Sequence, residues 1–230
     1  MRTQEHRPPL EGGDKPRILF IAEAVTLAHV ARPAVLAQAL NRDEYEVFFA
    51  TDPRYNNLFP ELSGCRRDIW SISSEEFLGA LARGAPLYKK RTLMRYVEDD
   101  LKLIDKIQPD LIVGDFRLSL SVSARLRQIP YATISNVYWS MYSSNDYPVP
   151  QLPMTHLLGV RLSQLLFDLS RPLAFALHCT PLNSVRRRYG LKGLGHDLRL
   201  VYTDADDVLL ADIQEYFPIT ADAKHHRYIG

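Results

Sequence analysis

The chain has 230 residues, 46% hydrophobic and 24% charged, an ordinary globular composition with length for one good-sized core. Its 28 basic and 27 acidic residues leave a net charge of +1, so no overall field recruits nucleic acid or anionic lipid, and small-molecule chemistry is the first expectation. The two cysteines, Cys65 and Cys179, form no C-x-x-C pair, which speaks against a metal site and a disulfide framework and fits a cytoplasmic location.

Residues 1–16 (MRTQEHRPPLEGGDKP) are polar, broken by Pro and Gly and without an apolar signal core, and read as a mobile tail. Arg17–Ala22 (RILFIA) is a near-continuous apolar run, as in a strand covered on both faces, and residues 33–40 (PAVLAQAL) follow with helical spacing. Residues 45–50 (YEVFFA), 110–115 (DLIVGD) and 131–135 (YATIS) read as further strands. Residues 98–107 and 118–128 carry apolar side chains three and four apart and read as helices. Strands alternating with helices predict an α/β fold, a doubly wound, Rossmann-like parallel sheet. Residues 198–203 and 208–211 look like two more short strands, and nothing of domain size follows.

Between these last strands and the body of the fold lies a Leu- and Phe-rich helix, residues 154–179, with Leu158, Leu162, Leu165, Leu166 and Leu169 on one face. Pro172 is expected to kink or divide it. Such a stripe suits a partner or a weak membrane-surface contact. A helix packed on its own domain is the expectation, because most amphipathic stripes are core. No apolar run approaches the roughly 20 residues of a membrane-crossing helix, so no transmembrane segment is expected.

In a doubly wound sheet, ligands sit beyond the carboxyl ends of the strands, where strand order reverses. His29 lies in the loop or first helical turn after the first strand, and Asp115 closes what counts as the fourth strand. The usual orders set these two strands side by side. A His next to an Asp is a general-base unit, since the carboxylate fixes the imidazole tautomer and stabilises the imidazolium. Local features alone leave open whether His29 is a catalyst or a helix-start residue packed on Pro33, and whether Asp115 orients it or caps the following helix; Asp115 can do both. The loop AEAVTLAH contains no glycine, which disfavours NAD, FAD and P-loop ATP binding, and no G-x-S-x-G elbow is present.

The succession of apolar strand, loop, His29-x-x-x-Pro33, apolar helix and EVFFAT resembles the N-terminal half of the two-domain GT-B glycosyltransferases, particularly the UDP-glycosyltransferase and macrolide glycosyltransferase group. Residues 109–135 (PDLIVGDFRLSLSVSARLRQIPYATIS) resemble that family's second landmark, in which the Asp ending the strand partners the loop histidine. The terminal RYIG resembles the Y-x-G that enters the linker to the second domain. Members often carry Gly before the His and Pro three residues after it; here Ala28 precedes it and Pro33 is four residues on.

The resemblance implies one Rossmann-like acceptor-binding domain over residues 17–215, with the start of an interdomain linker at 216–230. It further implies that His29 deprotonates an acceptor hydroxyl while Asp115 orients it. The partners expected are a small-molecule acceptor and a separate donor-binding domain or chain, with no nucleic acid. A nucleotide-sugar donor would be a co-substrate held mainly by the half not present here, with no cofactor and no metal. The alternative is a non-catalytic binding or auxiliary protein derived from the same fold.

Asn136, Tyr138 and Trp139, in the loop after 131–135, are the candidate acceptor wall, because aromatic faces stack on apolar or sugar-bearing acceptors; loop packing explains them equally well. Asp204-x-Asp206 resembles the D-x-D metal site of the other large glycosyltransferase fold, and Asp204 with Glu215 fits the ends of an EF-hand loop. Leu209 at the glycine position removes the EF-hand, and a solvated turn before a short strand is the expectation. His196-Asp197 and His225-His226 are expected as exposed loop residues. The basic run from Arg83 to Arg95, with Lys89-Lys90-Arg91, is expected as a solvated face.

Overall fold

The computed structural model describes residues 14–143, 147–149, 151, 153–220 and 223–230. Most of the expected tail, residues 1–13, lies outside the described residues. The strands are β1 (Arg17–Ala22), β2 (Glu46–Thr51), β3 (Arg66–Asp68), β4 (Leu111–Asp115), β5 (Tyr131–Ser135), β6 (Asp207–Leu210) and β7 (His226–Tyr228). They form one sheet of seven strands in the order β3-β2-β1-β4-β5-β6-β7, and every pair is parallel. The α/β, Rossmann-like expectation therefore holds.

The central runs are apolar without alternation because helices cover both faces. On one face Ile18, Phe20, Ala22 and Val113 cluster with Val30, Ala34 and Ala37 of α1 (Leu27–Ala39). On the other, Leu19, Ile21 and Ile112 cluster with Ile104 and Ile107 of α3 (Lys90–Ile107) and with Leu120 and Ala124 of α4 (Leu120–Arg127). Strand order reverses between β1 and β4, so the loops leaving these two strands part and open a crevice. The register sets Ala22 opposite Asp115.

Several elements depart from the sequence expectation. Helix α1 begins at Leu27, upstream of the expected residue 33, and Pro33 lies inside it, where it offers no N–H to the His29 carbonyl. Residues 198–202 are a helix, α6 (Leu198–Tyr202), rather than a strand. Asp197 starts it, its carboxylate accepting from the Arg199 N–H at 3.0 Å. Helix α2 (Ser74–Ala82) was not expected; Ser73 caps it, accepting from the Glu76 N–H at 3.0 Å. Strand β7 falls within residues 216–230.

Helix α5 (Pro153–Arg188) is interrupted at Gly159 (φ 74°, ψ 164°), a conformation open to glycine alone, and Pro172 lies within the helical run beyond it. Its C-terminal part buries Cys179, Leu182 and Val185 in a cluster with Leu93, Tyr96 and Val97 of α3. The leucine stripe does not pack on the domain: Leu158, Leu162, Leu165, Leu166 and Leu169 are all exposed. The expectation of a covered helix is overturned, because α5 turns a different face to the body of the fold.

Candidate functional site

Because α1 starts at Leu27, His29 sits in its first turn, and Arg32, three residues on, lies one turn above it on the same side. The odd-numbered residues of β4 face α1, which brings Asp115 to this turn. The His29 Nδ1 lies 2.8 Å from Asp115 Oδ1, and the Asp115 carboxylate is fully buried while the His29 side chain is 18% exposed. Asp115 does not cap α4: Ser119 holds the cap position, and the Asp115 oxygens are taken from the other side.

Arg32 takes them. Its Nε donates to Oδ2 at 2.8 Å and its Nη2 to Oδ1 at 2.7 Å, a bidentate pairing, while Nη1 donates to Asn136 Oδ1 at 2.9 Å. Arg32 Nη2 also approaches His29 Nδ1 at 2.9 Å. A guanidinium only donates, and Asp115 only accepts when ionised. The arrangement that satisfies all groups has Nδ1–H donating to Asp115 and the Nη2 proton directed to the same carboxylate, which leaves Nε2 as the basic nitrogen.

Phe116, directly after β4, adopts a left-handed φ of 57°, unusual for an aromatic residue. Its ring stacks on His29, centroids 4.4 Å apart and planes 11° from parallel, and on Tyr202 at 5.3 Å. The imidazole is thus held between a carboxylate at one nitrogen and an aromatic face. Gly114 supplies close approach from below, since a Cβ there would collide with Leu120 and come within 3.0 Å of the Tyr131 ring.

Beside this group lies a cavity of about 740 Å³ lined by His29, Arg32, Asn136 and Trp139 from the strand ends, and by Phe77, Leu81, Phe116, Phe167, Phe175, His178 and Tyr202 from the helices and loops around them. The lining is mostly apolar, with a few polar groups gathered at one side, the usual make-up of a small-molecule site. Of the expected acceptor wall, Asn136 and Trp139 line the cavity. Tyr138 does not: it packs edge-on against Trp139 and Tyr147. Asn136 is held from behind by Asp212, which also accepts from the Val137 N–H at 2.7 Å.

A second charged group lies nearby, fully closed. Arg117 donates to Glu23 at 3.0 Å and to Asp100 at 3.0 Å, its guanidinium lies 3.6 Å over the Tyr96 ring, and all three charged side chains have no exposure. Burial pushes the Glu23 and Asp100 carboxyls above their usual range against the pull of Arg117. Burial also opposes the Arg117 charge, but its two carboxylates hold the pKa above the ordinary arginine value.

No protein-family model matches the chain. It is 54% identical over 214 residues to a PGL/p-HBAD biosynthesis rhamnosyltransferase of Mycobacterium bovis, covering 93% of this chain and 47% of the relative. It is 49% identical over 228 residues to an inactive PGL/p-HBAD biosynthesis glycosyltransferase of the same organism, covering 99% of this chain and 62% of the relative. The chain thus spans about half the length of the curated relatives it matches. Among solved structures, a spinosyn forosaminyltransferase superposes with a TM-score of 0.55 at 18% identity, over 94% of this chain and 51% of that one. In sequence the chain is thus similar to about half of these glycosyltransferases, and its fold is that of one half of a GT-B structure.

The sequence pattern pointed to His29, Asp115 and part of the cavity wall but not to Arg32 and Phe116. The only local signal for Arg32 was its place three residues after His29. The remaining candidates have other work. Asp204 pairs with Arg125 and Arg186, and Asp206 accepts from the Tyr131 N–H at 2.9 Å, so the D-x-D pair ties β5 to the segment before β6. His225 and His196 are exposed as expected, but His226 is half-buried in β7 against Tyr142, and Asp197 caps α6. Arg83, Lys89, Lys90 and Arg91 are exposed.

Proposed function

We propose that this chain is the acceptor-binding half of an inverting glycosyltransferase, with His29 as the base and Asp115 as its orienting partner. The observation that carries the reading is the 2.8 Å contact between His29 Nδ1 and a fully buried Asp115, at the wall of an apolar cavity where strand order reverses. Nε2 takes the proton of the acceptor hydroxyl as its oxygen attacks the anomeric carbon. The bond from that carbon to the nucleoside diphosphate breaks, and the configuration inverts. The donor is a nucleotide sugar held mainly by a separate domain or chain, with no metal called for. Arg32 fixes both oxygens of Asp115 and joins them to Asn136 at the cavity edge.

The 54% identical rhamnosyltransferase makes rhamnose the first sugar to try and PGL/p-HBAD biosynthesis the first context. The test is a chimera in which this chain replaces the matching region of that relative. Transfer is expected in the chimera, and His29→Ala should lower it by about two to four decades while acceptor affinity changes less. Unchanged turnover in the variant rejects His29 as the base.

A second reading has its own support, because one relative of 49% identity is named an inactive glycosyltransferase. Under it the chain binds acceptors without transferring sugar. An inert chimera that still binds acceptor would favour this reading over the first.

A further inference from the structure

Helix α5 has two unlike faces. Phe167, Ser170, Ala174, Phe175 and His178 line the cavity. On the other side Leu162, Leu165, Leu166, Leu169, Leu173 and Leu177 are exposed, Leu169 at 73%. Their spacing of three and four residues runs them together as one stripe over about four turns. Single exposed leucines are ordinary, but a contiguous stripe of this size marks a surface that meets something.

The stripe continues around the cavity. Leu81 of α2 is exposed and also lines it, and Leu78 is exposed one turn earlier. Leu87 lines the cavity as well, and with Tyr88 it abuts His178, Pro181 and Leu182 of α5. The chain emerging there is Lys89-Lys90-Arg91, all exposed. Residues 77–97 contain Arg83, Lys89, Lys90, Arg91 and Arg95 and no acidic residue. Arg95 is occupied by the Trp70 ring at 3.7 Å and by Asp99, which leaves the other four cations to the surface. A protein of net charge +1 thus carries a local cationic rim beside a leucine face and an open apolar cavity.

We propose that this face docks on the surface of an anionic lipid bilayer, the α5 leucines entering the headgroup–acyl boundary and the 83–91 cations resting on the headgroups. An amphipathic helix with cations at its border binds a lipid surface by buried apolar area plus attraction to anionic headgroups. The contact is peripheral, because no described helix is long and apolar enough to cross a membrane. A second copy of the chain fits less well: pairing the leucine stripes would bring two cationic rims together. Delivery of an acceptor from the bilayer into the cavity rests on the reading of the cavity as an acceptor site, whereas docking itself does not.

The test is co-sedimentation of the full chain with vesicles of phosphatidylglycerol and of phosphatidylcholine. Binding is expected to the first and to be at least about tenfold weaker to the second. Leu165→Ser/Leu169→Ser/Leu173→Ser should weaken binding by about tenfold or more with unchanged helicity and melting, since these side chains are already in water. Lys89→Glu/Lys90→Glu/Arg91→Glu should remove the preference for the anionic vesicles. Absence of vesicle binding, equal binding by the leucine variant, or a dimer that the leucine variant dissolves in place of lipid binding each overturns the proposal. Docking without transfer in the chimera would sink only the catalytic reading; transfer to a soluble acceptor without docking would sink only this one.

Discussion

Two arginines stand near the divergent ends of β1 and β4, and they are used in opposite ways. Arg117 lies between Glu23 and Asp100, all three without exposure, with the Tyr96 hydroxyl donating to Glu23 at 2.6 Å and the Ser119 hydroxyl to Asp100. Arg32 meets one carboxylate and the Asn136 amide oxygen, and the histidine that shares this carboxylate has an edge toward the cavity. Each network fixes loops that leave the sheet. Only the second keeps a nitrogen that can exchange a proton with something outside. The sealed group is closed off beside the crevice, and the open group reaches the cavity wall.

Breaking the sealed group should show most in stability. Arg117→Met leaves Glu23 and Asp100 buried without their cation, and a loss of about 5 kcal/mol in urea unfolding is expected, the upper end for a broken buried pair. Adding Glu23→Gln and Asp100→Asn should recover part of it, because no unpaired charge then remains. Breaking the open group should show in rate. In the chimera His29→Ala is expected to cut transfer by about two to four decades and to move unfolding by less than about 1 kcal/mol. If the stability of both variants falls alike, the division between sealed and open networks fails.

Arg32→Ala tests the hinge between the two behaviours. It removes the bidentate contact to Asp115 and the bond to Asn136 Oδ1 while the His29 contact to Asp115 remains, so under the proposed reading the base keeps its partner and loses part of its positioning. Transfer is expected to fall about tenfold, mainly in kcat, with Arg32→Lys restoring little because a lysine cannot make the bidentate contact. Full rescue by lysine would mean that only charge matters there.

The two networks were not equally legible in the sequence. His29 and Asp115 could be brought together because strand ends at a switch point follow a general rule. Arg32 could not, since its reach to Asp115 depends on α1 starting at Leu27, and Pro33 drew the expected start past it. The sealed group involves Glu23, Asp100 and Arg117, far apart in sequence, and nothing local tells a buried charge from a solvated one. Periodicity found the leucines of α5 but not which face the fold would cover. Strands β3 and β7, RRD and HRY, are three-residue edge strands with no apolar run to announce them.

The smallest effect should come from a titratable ring that neither arginine attends. His226 is half-buried in edge strand β7, neither ring nitrogen has a hydrogen-bond partner among the described residues, and Tyr142 stands edge-on at 5.0 Å. Burial, with a smaller push from His225, lowers its pKa below the ordinary 6.5. Between that lowered value and 6.5 the unfolded chain binds more protons than the folded one, so stability rises with pH through this window. The contribution is complete above 6.5 and is lost as the pH falls toward the folded value. His226→Phe should flatten the stability profile there by well under about 1 kcal/mol, solvent screening having reduced the effect. Urea midpoints of both proteins at pH 5 and pH 8 would read it, and a profile equally steep in the variant would assign the acid sensitivity to another group.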